Sequence, residues 1–231
     1  MGRLYIVATP IGNLEDISAR ALRVFSETDV LVCEDTRKTR KIFSHFDIAR
    51  PSTVFSYHEH NEENAGKRIL GLLEAEQTVA LCSDGGYPGI SDPGYRIIRD
   101  AIASGHDIEV IPGPSSVPVA LLLSGLPTSS YTFKGFPPRK SGPRKRFLEA
   151  ERDAPHTLII LESPYRVVKL LVDALEVLGD RQAAVCIELT KKFERAHRGP
   201  ISELIRELEG KTLKGEITVV IAGNHPKFIK S

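Results

Sequence analysis

The sequence Cys82-Ser-Asp-Gly-Gly-Tyr-Pro-Gly-Ile-Ser-Asp-Pro-Gly94 separates an apolar run from a helical pattern. The preceding run, 78–82, is short, apolar and partly β-branched, which favours a buried strand. Residues 95–104 carry apolar side chains at helical spacing and end before Gly105, which favours a helix. The stretch is therefore a long strand-to-helix loop, whose glycines and prolines let backbone amides approach a ligand closely. Ligands bind at such strand ends in α/β sheets; an ordinary surface loop is the alternative.

Two further strand-like runs end in loops of the same type. Residues 4–8 precede Thr9-Pro-Ile-Gly-Asn-Leu14, and residues 107–111 precede Pro112-Gly-Pro-Ser-Ser116. A helix is expected to begin at Ser115 or Ser116, because serine is a common helix cap. Three strand ends in the first half thus carry Gly/Pro loops, which favours a shared binding site over chance.

Length and composition restrict the class of protein. The chain has 231 residues, of which 41% are hydrophobic, enough for one large α/β domain or two smaller ones. No apolar run approaches the roughly 20 residues that span a bilayer, and no signal-peptide pattern precedes the first strand. Cys33, Cys82 and Cys186 lie in apolar runs without metal-ligand spacing. We therefore expect a cytoplasmic protein with buried thiols and no membrane segment.

The charge pattern indicates an anionic partner and a candidate acid–base site. Although the net charge is only +1, residues 37–41 contain four basic residues and residues 134–146 contain six and no acid. Two such clusters beside Gly/Pro loops favour a polyanion, with a solvated face as the alternative for each. Glu34-Asp-Thr-Arg37 follows the apolar strand 30–33, where carboxylates are costly unless paired or exposed in a cleft. An ion pair with Arg37 or Lys38 is the alternative to catalysis.

His58-Glu-His60 has the spacing of two metal ligands, but no third ligand is visible nearby. The spacing alone is a weak metal signal. Residues 58–64 are instead expected to cap a helix over 62–74, and we predict no metal site.

The second half restarts the α/β pattern after a predicted linker at 126–130, which divides the chain into domains 1–125 and 126–231. Its strand 157–161 leads into Glu162-Ser-Pro164, where Ser163 is the expected N-cap and Pro164 the first helical residue. A second strand, 183–189, leads into 190–194, and residues 216–222 form a closing strand. We expect a mainly parallel sheet in the first half and a mixed sheet with flanking helices in the second.

Blocks from both halves resemble the ribosomal RNA small subunit methyltransferase I family. The first-half blocks are Thr9-Pro-Ile-Gly-Asn-Leu-Glu-Asp16, Glu34-Asp-Thr-Arg37, Ser83-Asp84 with Ser91-Asp-Pro-Gly94, Ile111-Pro-Gly-Pro-Ser115 and Leu123-Ser-Gly-Leu-Pro-Thr128. The second-half blocks are Phe133-Lys-Gly-Phe136, Pro138-Arg-Lys140, Glu162-Ser-Pro-Tyr-Arg166, Glu188-Leu-Thr-Lys-Lys-Phe-Glu194 and Lys214-Gly-Glu216. The resemblance covers nearly the whole chain in order.

This resemblance implies the two-domain tetrapyrrole methylase-like (class III methyltransferase) α/β fold, a homodimer, and S-adenosyl-L-methionine bound in the cleft between domains. It implies 2′-O-methylation of a cytidine in the decoding region of 16S rRNA in the 30S ribosomal subunit. The expected cofactor-binding residues are Pro10, Gly12, Asp84, Gly85, Gly86, Tyr87, Pro88, Ile90, Ser91, Asp92, Pro112, Gly113, Ser115, Ser116, Leu161, Glu162, Ser163 and Ala222. The expected catalytic residues are Glu34, Asp35, Arg37, Glu188 and Lys191. The expected RNA-binding residues are Lys38, Arg40, Lys41, Arg139, Lys140, Arg144, Lys145 and Arg146, with Phe136 and Phe147 beside them.

The central loop departs from the family pattern Asp-Ala-Gly-Thr-Pro-Leu-Ile-Ser-Asp-Pro-Gly. Gly85, Tyr87 and Gly89 stand at the Ala, Thr and Leu positions. Two alternatives to rRNA methylation follow. One is a methyltransferase for a carboxylate-rich tetrapyrrole, which is also anionic; the other is a non-catalytic ribosome-binding relative that has lost its cofactor.

Overall fold

The computed structural model describes residues 2–228, and the two outermost ends of the predicted domains, 1 and 229–231, lie outside it. The chain divides into two compact units, Met1–Ser115 and Ser116–Ser231. This division falls ten residues before the predicted one at 125/126. The helix that follows Ser115 belongs to the second unit, where Cys186 Sγ donates to Ala120 O at 3.9 Å. This helix is mostly apolar, and its buried residues pack within the second unit.

The first unit alternates strands and helices. Its elements are β1 (Arg3–Val7), α1 (Ala19–Glu27), β2 (Val30–Cys33), α2 (Thr36–His45), β3 (Thr53–Ser56), α3 (Glu62–Glu74), β4 (Thr78–Cys82), α4 (Tyr95–Ala103) and β5 (Asp107–Ile111). The strands form one sheet of order β3-β2-β4-β1-β5, in which all pairings are parallel. Because β4 and β1 lie inside the sheet, most of their residues are apolar and buried.

Helices cover both faces of this sheet. Alternate residues of β1, β2 and β4 pack either against α3 and α4 or against α1 and α2. Ile69 and Leu73 lie on the first face, and Phe25 and Phe43 lie on the second, with their ring centroids 5.5 Å apart. The parallel arrangement places every strand's carboxyl end at the same edge of the sheet.

The second unit contains a mixed sheet. Its elements are α5 (Ser116–Ser124), β6 (Tyr131–Phe133), α6 (Ser141–Glu149), β7 (Thr157–Glu162), α7 (Val167–Leu178), β8 (Gln182–Ile187), β9 (Arg195–Pro200), α8 (Ile201–Leu208) and β10 (Ile217–Ile221). The strand order is β6-β7-β10-β8-β9; only β6 and β7 pair in parallel. The predicted fold class, with a parallel first sheet and a mixed second sheet, is confirmed.

Three local predictions in these units differ from the structure. Helix α7 begins at Val167 and not at Pro164: its N-cap is Arg166, with φ of −124°, and the Ser163 hydroxyl accepts from Arg166 Nε at 3.1 Å. Strand β9 was not predicted, since its polar edge sequence has no apolar alternation. Asn61 stands at the start of α3, but its side chain bonds the backbone of His58 and Ser56.

The three cysteines are buried and free, as predicted. Within residues 2–228, no helix combines the length and apolar character needed to cross a membrane.

A buried ion pair joins α6 to α7. Arg144 and Asp173 have side-chain exposures of 4% and 7%, and Arg144 Nη2 lies 2.6 Å from Asp173 Oδ2. Ser141 Oγ also donates to Asp173 Oδ1 at 2.9 Å. Arg144 was predicted to bind RNA, but its guanidinium is enclosed within the fold and holds two helices together.

Replacing Asp173 with Ala should lower the free energy of unfolding by about 3–5 kcal/mol, because it leaves the Arg144 guanidinium buried without its counter-charge. Urea denaturation measures this loss. The control Glu176→Ala removes the exposed ion pair with Lys145 and should cost about 1 kcal/mol or less. Equal losses in the two variants would contradict a structural role for the buried pair.

Candidate functional site

The loops after β1 and β4 are joined at the carboxyl edge of the first sheet. Thr9 N–H donates to Gly86 O at 2.9 Å, and Gly86 N–H donates to Thr9 O at 2.9 Å. Thr9 Oγ1 also donates to Ser83 O at 3.0 Å. These bonds continue the contact between β1 and β4 past the ends of the two strands. They fix the start of the central loop, 82–94.

The next residue of this loop connects it to the loop after β5. Tyr87 Oη accepts from Gly113 N–H at 3.0 Å and lies 3.3 Å from Gly113 O, to which it can donate. One phenol group therefore satisfies both polar groups of the Gly113 backbone. The three Gly/Pro loops that the sequence singled out are hydrogen-bonded to one another.

Asp84 connects the central loop to the end of β2. Its Oδ1 accepts from Asp35 N–H at 3.0 Å, and its Oδ2 lies 2.7 Å from Lys38 Nζ. Residues 84–87 thus hydrogen-bond to the segments after β1, β2 and β5. Lys38, which was expected to bind RNA, is engaged in this contact, whereas Arg40 and Lys41 are exposed on α2.

Asp35 and Arg37 form a pair that serves the start of α2. Asp35 is the N-cap, and its Oδ1 accepts from Arg37 N at 2.9 Å. Arg37 Nη2 lies 2.7 Å from Asp35 Oδ2, and its side chain is 89% exposed. Hydrogen bonds from Arg37 hold the pKa of Asp35 well below its usual range, so this carboxylate is ionised and a poor base. For these two residues the structure contains the ion pair that was the alternative to catalysis.

Glu34 has a different environment at the same strand end. It is half-buried, and burial raises the pKa of Glu34, with a further increase from the nearby negative charge of Asp84. A carboxyl group with a raised pKa is better matched to proton transfer near neutral pH than an ordinary glutamate.

The other predicted cofactor residues of the first unit lie on the same three loops. Pro10, Gly86 and Pro88 are buried and support the backbone. The surface-accessible members are Gly12, Ile90, Ser91 and Pro112. Gly85, Tyr87, Asp92, Gly113 and Ser115 are half-buried. Ser91 has a φ of +63°, a strained conformation for a residue with a side chain.

The second unit carries its own cluster at one edge of its sheet. Ile217 of β10 pairs with both Glu162 of β7 and Ile187 of β8. The ends of β7 and β8 therefore lie at the same edge as the start of β10. This register brings the segments after Glu162 and Ile187 to one side of the unit.

Lys191 lies between two carboxylates at this edge. Its Nζ is 2.8 Å from Glu188 Oε1 and 3.2 Å from Glu216 Oε2. Burial lowers the pKa of Lys191, but the bonds to Glu188 and Glu216 outweigh it, and the pKa is raised. The Lys191 bond in turn lowers the pKa of Glu188. Lys191 is therefore a protonated donor at neutral pH and not a base.

The backbone around this cluster is unusual. Glu188 and Thr190 have φ values of +54° and +62°, which residues with side chains rarely adopt. A β-carbon at Gly215 would overlap the Glu188 carboxylate, so the glycine of Lys214-Gly-Glu216 leaves room for it. Such strain is concentrated at functional sites. Glu216 was missed as a candidate residue, although the Lys-Gly-Glu block pointed to it.

Ala222 is not near the other predicted second-unit residues. Strand β10 runs antiparallel to β7, so Ile221 pairs with Leu158 while Ile217 pairs with Glu162. Ala222 thus lies at the opposite edge from the 161–163 segment, about 16 Å away at 3.3 Å per residue. Its N–H donates to Gln182 O at 2.9 Å. The expected cofactor-binding residues Ala222 and 161–163 therefore lie at opposite edges of the second sheet, because β7 and β10 are antiparallel.

Glu162 and Ser163 bind Arg166, which is not among the residues predicted for the site. Glu162 is buried, and its Oε1 lies 2.6 Å from Arg166 Nη2 and accepts from Ser163 N–H at 2.7 Å. Its Oε2 is buried without a hydrogen-bond partner among residues 2–228.

Leu161 donates its N–H to Gly135 O at 2.9 Å. Ser116, the first residue of α5, is half-buried.

The basic segment of the second unit divides into paired and exposed residues. Arg144 is enclosed with Asp173, and Lys145 Nζ lies 2.6 Å from Glu176 Oε2. Arg139, Lys140 and Arg146 are exposed.

No cluster of three or more His, Cys, Asp or Glu residues with metal-binding geometry occurs within residues 2–228.

Comparisons with known proteins show the family to which this chain is similar. The sequence model of the family described as Tetrapyrrole (Corrin/Porphyrin) Methylases matches residues 3–205. A Halalkalibacterium halodurans protein named ribosomal RNA small subunit methyltransferase I is 46% identical over 98% of this chain and 78% of its own. A Thermotoga maritima protein of the same name is 41% identical over 96% of this chain and 99% of its own.

The chain belongs to the ribosomal RNA small subunit methyltransferase I family of tetrapyrrole methylases. A solved structure of similar fold is uroporphyrin-III C-methyltransferase from Thermus thermophilus complexed with S-adenosylhomocysteine. It has a TM-score of 0.66 and 21% identity, and the match covers 95% of this chain and 97% of that one. At this identity the likeness supports the fold alone.

Two departures of this tetrapyrrole methylase from the family loop, at Tyr87 and Gly89, have a structural explanation. Gly89 has a φ of +82°, which a leucine at that position would rarely adopt. Tyr87 uses the length of its ring to reach the Gly113 backbone, a contact that the shorter threonine side chain cannot make from the same position. Tyr87 and Gly89 therefore both fit the conformation that this loop adopts.

Replacing Tyr87 with Phe removes both contacts to Gly113 and should lower the free energy of unfolding by about 1–2 kcal/mol. The loop after β5 should also become less protected from amide hydrogen exchange. Urea denaturation and exchange of the Gly113 amide measure the two effects. Tyr95→Phe is the matched control, because Tyr95 is exposed and its loss of a hydroxyl should change neither. Identical behaviour of the two variants would show that the Tyr87 hydroxyl does not hold the loops together.

Proposed function

We propose that this protein transfers the methyl group of S-adenosyl-L-methionine to the ribose 2′-oxygen of a cytidine in the decoding region of 16S rRNA. The observation that carries the proposal is the near full-length similarity to small-subunit rRNA methyltransferases of 41–46% identity. The Gly/Pro-rich loops after β1, β4 and β5 support a cofactor site, since hydrogen bonds join these loops at one sheet edge.

The cofactor is proposed to lie on the exposed backbone of these loops. In parallel α/β sheets ligands bind beyond the carboxyl ends of the strands. The hydrogen bonds of Asp84, Gly86 and Tyr87 fix the loop before a ligand arrives, which reduces the entropy that binding would otherwise cost. The structural relative crystallised with S-adenosylhomocysteine is consistent with this type of ligand.

Methyl transfer from a sulfonium group chiefly requires the oxygen and the methyl carbon to be close and aligned. A ribose hydroxyl is a weak nucleophile, and it benefits from a base and from a donor that stabilises its oxygen. Glu34, with its raised pKa, is the proposed base. Lys191, with its raised pKa, is the proposed cationic donor. Asp35, Arg37 and Glu188 are proposed to position these groups.

The exposed basic residues are proposed to contact RNA phosphates. This set comprises Arg40, Lys41, Arg139, Lys140 and Arg146. Ion pairs with phosphates release counterions, so the affinity for RNA should fall steeply as the salt concentration rises. We also propose, from the family resemblance, that the protein is cytoplasmic and acts as a homodimer on the 30S subunit.

Methyl transfer from radiolabelled S-adenosyl-L-methionine tests the proposal directly. Purified 30S subunits, free 16S rRNA and uroporphyrinogen III are compared as acceptors, and digested RNA is analysed for 2′-O-methylcytidine. We expect this nucleoside from the ribosomal substrate and no transfer to the tetrapyrrole. Transfer only to uroporphyrinogen would favour the tetrapyrrole alternative. Failure of S-adenosyl-L-methionine to bind in calorimetry would favour a non-catalytic ribosome-binding protein.

Replacing Glu34 with Gln should reduce methyl transfer roughly 10²- to 10⁴-fold, the usual contribution of a general base. In the unchanged protein, activity should fall as pH decreases through the raised pKa of Glu34, because only the carboxylate accepts a proton. The variant should lose this dependence. The rate of methyl transfer measured across pH tests both effects.

Stability separates this role from a structural one. Because folding raises the pKa of Glu34, the stability contributed by that shift is present at low pH and lost as pH rises through the pKa. The Gln variant should therefore be no less stable than the unchanged protein at neutral pH. Glu63→Gln, on the exposed face of α3, is the matched control and should leave the rate unchanged. A Glu34→Gln variant with full activity would exclude Glu34 as the base.

A further inference from the structure

The second unit carries an open groove beside the Glu162–Arg166 pair. Its volume is about 660 Å³, and it is lined by Phe136, Pro137, Pro138, Arg139, Phe147 and Arg166. It adjoins the carboxyl ends of β6 and β7, which run in parallel. The Phe136 side chain is 55% exposed, although a phenyl ring gains free energy when it is buried.

Phe136 is exposed on a segment that is held firmly by its neighbours. Lys134 N–H donates to Ile159 O at 3.1 Å, and Gly135 O accepts from Leu161 N–H at 2.9 Å. Pro137, the next residue, is buried. The buried Arg144 donates from Nη1 to Arg139 O at 3.0 Å. The exposure of the ring is therefore part of an ordered surface and not the result of a loose loop.

The groove combines this ring with positive charge. Arg166 is oriented by Glu162, 2.6 Å away, and by the Ser163 hydroxyl at 3.1 Å. Phe147 is covered by Lys134, whose Nζ lies 4.8 Å from the ring centroid. Arg139, in contrast, forms no ion pair with a carboxylate within residues 2–228. The groove therefore presents one uncompensated guanidinium beside one exposed aromatic face.

We propose that this groove binds one unpaired nucleotide of single-stranded RNA, with its base stacked on Phe136 and its phosphate paired with Arg139. Proteins bind single strands by stacking bases on aromatic rings along a positively charged groove. A fixed ring loses little conformational freedom on binding, which favours this use of Phe136. An apolar peptide would leave Arg139 without a counter-charge, so the charge of the groove favours a nucleotide.

This inference deepens the proposed function, on which it rests for the identity of the RNA. It assigns base recognition to Phe136, which is not among the residues proposed for methyl transfer. It also gives Arg144 and the Glu162–Arg166 pair a role as positioning residues, because they hold Arg139 and Arg166 at the groove.

The chain contains no tryptophan, so Phe136→Trp introduces a single fluorescent reporter at the proposed stacking face. The full-length variant is titrated with decacytidylate and with a ten-unit abasic ribose phosphate of similar charge. We expect the tryptophan emission to be quenched by the first and unchanged by the second. Quenching by neither, or equally by both, would overturn stacking on this residue.

Affinity measurements give an independent readout. Phe136→Ala should weaken binding of labelled decacytidylate about 5- to 100-fold, the usual effect of losing one stacked base, and should not change binding of the abasic strand. Tyr131→Ala removes another exposed aromatic residue of this unit and should change neither affinity. Arg139→Gln should weaken both strands, whereas Arg206→Gln, on the exposed face of α8, should weaken them less.

The outcomes separate this inference from the proposed function. If the unchanged protein methylates 30S subunits but Phe136→Ala binds decacytidylate normally, the groove inference fails and the methylation proposal stands. If Phe136→Trp reports stacking while no acceptor is methylated, the inference stands and the methylation proposal fails. Circular dichroism and thermal melting confirm that each variant is folded, and Phe136→Tyr should retain binding as the conservative replacement.

Discussion

The hydrogen bonds made by residues 84–87 are the constraint on which the first unit's candidate site depends. Asp84 bonds the segment after β2, Gly86 bonds Thr9 after β1, and Tyr87 bonds Gly113 after β5. A parallel sheet brings these strand ends to one edge but leaves the loops beyond it without the ladder of hydrogen bonds. The central loop supplies bonds that continue between neighbouring segments, and it thereby holds exposed backbone in a fixed arrangement that suits a ligand.

The second unit reaches a similar result with antiparallel strands. Because β7 and β8 both pair with β10 in antiparallel register, their ends share an edge with its beginning. That edge holds Lys191 between two carboxylates and Arg166 beside a third. Pairing of this kind satisfies buried or half-buried charges and fixes their direction. The pKa values of Glu34 and Lys191 are both raised. The shift suits Glu34 to proton transfer and keeps Lys191 protonated.

Much of this arrangement could be predicted from the pattern of residues. Strands such as 30–33 and 78–82 are continuous apolar runs because they are buried on both faces. Contacts set by three-dimensional register could not be read in the same way. Because β10 runs antiparallel to β7, Ala222 is far from 161–163. Arg144 of α6 looks like a surface cation in the sequence, but it is buried against Asp173. The Tyr87–Gly113 contact joins residues 26 apart, and nothing local in the sequence marks it.

The central claim is that the three hydrogen-bonded loops after β1, β4 and β5 form the cofactor site. Amide hydrogen exchange tests it most directly. Exchange is measured by mass spectrometry with and without a saturating concentration of S-adenosylhomocysteine. We predict slower exchange in peptides covering 9–14, 83–94 and 112–116, and smaller changes in the solvent-facing helix α3. Binding of the ligand with no protection of these three segments would contradict the account.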